Sequence, residues 1–401
     1  MAVAMASVLA LALAACSSPG STSAGVSGDT IKIGLVTSLT GTASTDFAES
    51  EAGAKARIAL LNSKGGVNGR KLELVTADDQ STAAGVVTAV HQLVERDKVF
   101  GIIGMSTTLF SATKYLQKQN VPVTGAGFDG PEWGQKPNTN MFSTDPIDPS
   151  YPPTTIWGEF FKSIGVTRVA GIAFADIPSS SGSLKQVQSS VEAAGLKAAY
   201  TNVSIPYGTT DFTAVVLQMK KAKVDGYVCS CDKPTELALA TAVKQAGLNA
   251  KGILSTAYAQ STLDDASIKV TVEDLYAYSY YVPYELHTKG TDAMLAALAK
   301  YDKKYEAGDI PGYGLSSGYL AADMMIKGLE KAGDKPTRAS FISGLRTVKS
   351  YDADGVLPAP ISFAPDQFGK SLSKPCNYFV QLVGDKFVPQ PKVCGTLVKN
   401  S

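Results

Sequence analysis

Val99-Phe100-Gly101-Ile102-Ile103 carries no polar side chain, and it is followed by Ser106-Thr107-Thr108, a stretch of helical spacing to Gln119, and a second apolar start at Val121-Pro122-Val123. A strand with one wet face would alternate polar and apolar residues. A run that is apolar on both faces belongs to a strand covered on both sides, as in a parallel sheet. Parallel neighbours need a crossover, and the Ser106–Gln119 helix predicted here would supply it. The same unit repeats toward the N-terminus. Ser81–Asp97 reads as a helix with Val86, Val90, Leu93 and Val94 on one face, and Leu72–Val75 as a strand. Val67-Asn68-Gly69-Arg70 supplies an Asn-Gly turn. Glu49–Asn62 sets Ala52, Ala56, Ala59 and Leu60 at helical spacing, and Ile31–Val36 is the first apolar strand. Strand and helix in strict alternation predict a doubly wound α/β sheet.

Toward the C-terminus a Pro-rich break (Asp145-Pro146, Asp148-Pro149, Pro152-Pro153) interrupts the pattern, which then restarts. Strands are expected at Arg168–Phe174, Leu196–Val203, Gly226–Ser230 and Gly252–Leu254. Helices are expected at Gly182–Ala194, Phe212–Ala222 and Thr235–Gly247. A Tyr-rich strand, Leu275–Pro283, precedes three helices: Asp292–Tyr305, Leu315–Lys331 and Arg338–Leu345. A small sheet closes the chain at Ile361–Phe363, Tyr378–Val383 and Lys386–Val388. Two similar α/β lobes follow from this. The late helical block implies that the chain re-enters the lobe it had left.

Met1–Ala15 is apolar or small throughout and uncharged, too short to span a bilayer but suited to the core of a secretory signal. No Lys or Arg precedes it, and a start upstream of Met1 is expected to supply that basic segment. Leu13-Ala14-Ala15-Cys16 resembles the bacterial lipobox, at which the peptide is cut and Cys16 acylated. Ser17–Gly28, rich in Ser, Gly, Ala and Thr, reads as a flexible tether. No later apolar run is long enough to cross a membrane. The expected location is therefore outside the cytoplasm, held by lipid to the outer face of the bacterial cell membrane.

Basic and acidic residues balance, 37 against 36, and no basic stripe appears, which argues against a nucleic-acid partner. Cys376 and Cys394 flank a predicted hairpin and could pair in an oxidising compartment. Cys229 and Cys231 sit one residue apart on a predicted strand, where a bridge would be strained, so free, half-buried thiols are expected. The two histidines, His91 and His287, lie near no cysteine in sequence, so neither a metal site nor a cofactor is expected. Ser371 and Lys374 match S-x-x-K only in a Pro/Ser loop. No nucleophile with a positioned base can be assembled, which excludes an obvious enzyme.

The segments IKIGLVTSLTG (31–41), GAKARIALLNSKGGVNGRKLELVTADDQS (53–81), VFGIIGMSTT (99–108) and QNVPVTGAG (119–127) resemble the branched-chain amino-acid binding proteins, the type I solute receptors of ABC importers. The resemblance implies two doubly wound Rossmann-like lobes joined by three crossovers, near Asp145–Ser150, Tyr280–Pro283 and Tyr351–Gly355. The lobes would be 29–146 with 282–354, and 147–281 with 355–401. It implies capture of a small solute by lobe closure and delivery to an ABC permease with its ATPases. A sensor on the same fold, or an extracellular enzyme, is the rival reading.

Ligands of open α/β sheets bind beyond the carboxyl ends of the strands. The resemblance places ligand contacts at Ser106, Thr107 and Thr108, at Ala126, Phe128 and Asp129 in the next loop, and at Phe47 as an aromatic wall. In the second lobe it points to Ser180 within Ser179-Ser180-Ser181, and to Tyr258. Ala257 stands where the family has an acid that pairs with the ligand's ammonium, and Asp232 is the best remaining acid. With that partner absent and Phe47, Phe128, Tyr258 and Tyr281 available as walls, an aromatic or aliphatic acid or an amide is expected over a leucine-like amino acid.

Overall fold

The computed structural model describes residues 23–144, 152–370, 372 and 375–398. Cys16, the first proposed crossover at Asp145–Ser150, and Ser371 and Lys374 lie outside the described residues. The first sheet holds β1 (Val26–Ser27), β2 (Thr30–Thr37), β3 (Lys71–Asp78), β4 (Ile102–Met105), β5 (Val123–Gly125) and β6 (Met141–Ser143). The second holds β7 (Arg168–Phe174), β8 (Lys197–Ile205), β9 (Gly226–Ser230), β10 (Lys251–Leu254), β11 (Tyr276–Ser279), β12 (Cys376–Val383), β13 (Lys386–Pro389) and β14 (Val393–Cys394).

The parallel cores of the two sheets share one order. In the first it is β3-β2-β4-β5-β6, and in the second β8-β7-β9-β10-β11. Each therefore changes winding direction beside its first long strand, between β2 and β4 and between β7 and β9. The second sheet is extended by antiparallel β12, β13 and β14. The apolar runs behave as doubly covered strands: all four residues of β4 are buried, and six of the seven in β7.

In chain order the helices of the first run are α1 (Ser44–Phe47), α2 (Ser50–Ser63), α3 (Ala83–His91) and α4 (Thr113–Lys118). Those of the second are α5 (Ile156–Ser163), α6 (Pro178–Ala193), α7 (Thr213–Lys221), α8 (Lys233–Gln245), α9 (Gln260–Asp264) and α10 (Ala266–Val272). The late block is α11 (Lys289–Tyr301), α12 (Tyr313–Ala332) and α13 (Arg338–Leu345), and it packs against the first sheet. α12 lies so close to α2 that a Cβ on Gly53 would stand 1.9 Å from the Leu315 carbonyl oxygen. Thr124 on β5 donates to the Ala321 carbonyl at 2.8 Å, fixing α12 beneath the sheet. The passage at Tyr280–Pro283 runs beside the segment after Gly355, with the Val282 N–H bonded to the Val356 carbonyl at 2.8 Å.

Several expectations are corrected. The tether ends early: β1 pairs with the start of β2, with Gly25 and Gly28 at φ 77° and 46° making the turns. The Val99–Ile103 strand begins at Ile102, because Arg338 takes the Val99 and Phe100 carbonyls at 2.8 and 2.9 Å. The helix expected over Ser106–Gln119 is a 3-10 turn, Leu109–Ala112, and then α4. Ile361 forms one bridge with Tyr351 rather than a strand. Residues 356–369 stay with the first lobe, with Phe363 edge-on to Phe142 at 5.7 Å and Phe368 under the Arg346 guanidinium at 4.7 Å. The final passage therefore comes later than Tyr351–Gly355.

Cys376 and Cys394, register partners on β12 and β14, are joined at an S–S distance of 2.05 Å. Cys229 and Cys231 are also bonded to each other rather than free. Residues two apart share a strand face. β9 ends at Ser230, and the chain bends so that the two Cα atoms are 5.2 Å apart, within disulfide reach. Among the described residues no helix is long and apolar enough to cross a membrane.

Candidate functional site

The carboxyl edges of the two parallel sheets face each other across a cavity of about 130 Å3. The loop after β2 is held rigid from below, since Asp78 accepts from the Leu39 N–H at 2.9 Å and from the Thr40 hydroxyl at 2.6 Å. That loop turns into α1, whose last residue is tied to the sheet by a 2.9 Å bond from the Thr37 hydroxyl to the Phe47 carbonyl. Asp46 and Phe47 are thereby presented to the cavity. Phe47 stacks on Phe128, centroids 4.7 Å apart and rings 11° from parallel, and Tyr313 meets both edge-on at 5.9 and 6.0 Å. Tyr280, just past β11, reaches Tyr313 at 4.6 Å from the other lobe.

The second lobe adds Trp157 from α5, Phe174 at the end of β7, Tyr207 beyond β8, Ser230 at the end of β9, and Cys231 and Asp232 just past it. Asp232 caps α8, accepting from the Thr235 N–H at 3.1 Å, and also takes the Tyr207 hydroxyl. Ser255 and Thr256 after β10 are set by the buried Glu236, whose carboxyl accepts from their N–H groups at 2.7 and 3.2 Å. Burial pushes Glu236 up to about 8 even against those bonds.

Of the residues singled out from sequence, Phe47, Thr107, Phe128, Ser180 and Asp232 line the cavity. Ser180 is largely spent on structure, donating to the Ser230 carbonyl and accepting from the Phe174 N–H at 2.8 Å. Ser106, Thr108, Ala126, Asp129 and Tyr258 do not line it. Ser106 and Thr108 are buried with their hydroxyls 3.3 Å apart. The Ala126 carbonyl accepts from Ser143 at 2.6 Å. Asp129 faces inward, bound by the Trp133 indole N–H at 2.6 Å and the Phe110 N–H at 3.0 Å. Burial, with Glu132 beside it, holds Asp129 well above the carboxylate range, so it anchors the Phe128 loop from below. The Tyr258 hydroxyl donates to Glu285 at 2.5 Å, and Tyr258 and Tyr281 line a small cavity that adjoins the main one at Ser255, Thr256, Tyr280 and Tyr313.

Asp46, Trp157, Tyr207, Tyr280 and Tyr313 were not anticipated from sequence. The signal for Asp46 was its place beside Phe47. Tyr313 could have been found only by placing the start of the late helical block against the first lobe. Asp46 joins the expected Asp232 as a second acid in the cleft, while Asp129 turns away from it. The Asp46 carboxyl is pushed up to about 7, first by burial and then by the charge of Asp232, against a 3.3 Å bond from the Lys233 N–H. Among the described residues no Lys, Arg or His lines the cavity, and no group of three or more His, Cys, Asp or Glu is placed to hold a metal.

The family model described as periplasmic binding protein matches residues 30–386. A leucine-, isoleucine-, valine-, threonine- and alanine-binding protein of Pseudomonas aeruginosa is 26% identical over 317 residues, 79% of this chain and 82% of its own. A Leu/Ile/Val-binding protein homolog 7 of Brucella abortus is 22% identical over 75% of this chain and 77% of its own. Among solved structures, a fatty acid ABC transporter substrate-binding protein from Thermomonospora curvata superposes with a TM-score of 0.76 at 20% identity, covering 95% of this chain and 96% of that one. An R. palustris ABC transporter solute-binding protein in complex with benzoate gives 0.73 at 14% identity, covering 92% and 98%.

Proposed function

Because the chain belongs to the periplasmic binding protein family, we propose that it captures one small solute between its lobes and delivers it to the permease of an ABC importer. It binds and releases its solute and is not an enzyme. The observation that carries this reading is the cavity's position. It lies at the carboxyl ends of two parallel sheets, beside the point in each where the winding reverses, and both lobes line it. The lobes already touch at its rim, where the Lys233 N–H meets Asp46 and the Gln260 N–H meets the Ile310 carbonyl at 2.8 Å. A solute that touches both lobes binds the closed form better than the open one and shifts the population toward it. That closed shape is the form the permease would recognise.

The walls favour an aromatic or otherwise apolar solute body, with the hydroxyls of Thr107, Ser179 and Ser183 placed to orient it. We place the protein outside the cytoplasm, held by acyl groups on Cys16. Native mass spectrometry of protein purified without denaturation tests the binding role. One small molecule released per chain supports it, and a chain that is empty and binds nothing from a cell extract contradicts it. Detergent partitioning tests the anchor, since wild type should enter the detergent phase and Cys16→Ala should not. Equal partitioning would remove the anchor from the account.

A further inference from the structure

Asp46 and Asp232 line the same cavity from opposite lobes, among aromatic rings and without a cationic side chain among the described lining residues. Resting on the solute-binding reading above, we infer that the solute presents a protonated amine between these two carboxylates, and that the cleft excludes carboxylic acids.

Asp46 has one hydrogen bond, from the Lys233 N–H at 3.3 Å, at the long end of the useful range. An ionised carboxylate offers about four acceptor sites and no donor, so capacity remains on the cavity side. Asp232 holds the Thr235 N–H and the Tyr207 hydroxyl. What this end of the cleft lacks is donors and positive charge. The nearest cation, Lys233, directs its ammonium to the Ser261 hydroxyl at 2.7 Å and does not line the cavity. The other charged groups around it are Glu49, Glu236 and Asp265, all acidic. A carboxylate entering here would add like charge to a half-buried pair whose one nearby cation, Lys233, stands outside the cavity and already faces Asp46, Glu49, Glu236 and Asp265, which is unfavourable. An ammonium would pair with both acids, and the faces of Phe47, Phe128 and Tyr313 would add cation–π attraction. The acids come from different lobes, so the same cation would draw the lobes together.

Matched probes separate charge from shape. Calorimetry at about pH 8, where Asp46 is ionised, would compare 2-phenylethylamine and hexylamine with the acids 3-phenylpropionate and heptanoate and the neutral 3-phenylpropionamide. The amines should bind at least roughly tenfold tighter than the acids and the amide. In Asp46→Asn and in Asp232→Asn the amine-to-amide affinity ratio should fall by about tenfold or more, with each variant shown folded by a cooperative melt. Acids binding as tightly as amines would overturn the inference and leave the solute-binding reading intact, as would an amide equal to the amines. Binding of none of the probes would also overturn it. If native mass spectrometry then found no solute either, the solute-binding reading itself would fail.

Discussion

Replacing Asp46 by Asn should remove a pH dependence from closure of the empty cleft. In the arrangement described, burial between the lobes holds the Asp46 carboxyl at about 7 against an ordinary 3.8. When the cleft opens, water reaches the carboxylate and its value returns toward the ordinary one. Between those two values the closed form keeps a proton that the open form has lost. Closure is therefore favoured at the acid end of the window and weakens as pH rises through about 7. Full coupling would give ~1.4 kcal/mol per pH unit, an upper limit of ~4 kcal/mol over the whole window. Asp46 is only half-buried, and screening should reduce the net to about 1–2 kcal/mol, roughly a 5- to 30-fold change in the closed-to-open ratio. Small-angle scattering between about pH 5 and pH 8 would report closure as a change in radius of gyration. Fluorescence of Trp157, which lines the cavity, offers a second reading, and Trp133, buried in the first lobe, should stay constant. Wild type should open as pH rises, and Asp46→Asn should show no such trend. An equal slope in both proteins, or closure that strengthens with pH, would show that Asp46 does not govern closure.

Removal of the Phe128 ring should weaken solute binding by about tenfold or more while leaving a folded protein, because the Phe47 stack loses its face and the cavity one wall. Calorimetry of Phe128→Ala against the native solute checks this, and unchanged affinity would take Phe128 out of the site. Under denaturing, non-reducing conditions the four cysteines of the two bridges should give no reactive thiol. Two reactive thiols would return Cys229 and Cys231 to the free state expected from sequence. Gly53→Ala should lower the melting temperature, because the new Cβ meets backbone at Leu315 that cannot rotate aside, at a cost of about 1–3 kcal/mol or more. An unchanged melt would mean that α2 and α12 can separate freely.

The fold was legible because burial on both faces leaves a plain mark in sequence. β4, β7 and β9 are runs of apolar residues, and their spacing forces parallel pairing through crossovers. Re-entry of α11–α13 into the first lobe was legible from helices with no strand between them. The cavity was half legible, since Phe47, Thr107, Phe128 and Asp232 follow strands whose carboxyl ends must face it. What failed was the direction of individual side chains. Asp129 and Phe128 are adjacent, yet one turns to Trp133 and the other to the cleft, decided by an indole N–H that sequence does not place. Trp157 and Tyr313 were missed for another reason: each enters the cavity through tertiary packing of a helix whose position depends on the whole chain. Cys229 and Cys231 were misread because an ideal strand was assumed to continue past Ser230, where the chain bends.

Capture of a solute by closure of two lobes is read out by small-angle scattering of the same preparation with its solute bound and after its removal. The radius of gyration should be smaller with solute bound, the change reversing on removal and absent when Phe47 and Phe128 are both replaced by Ala. Identical scattering with and without a solute that calorimetry shows to be bound would contradict capture by closure.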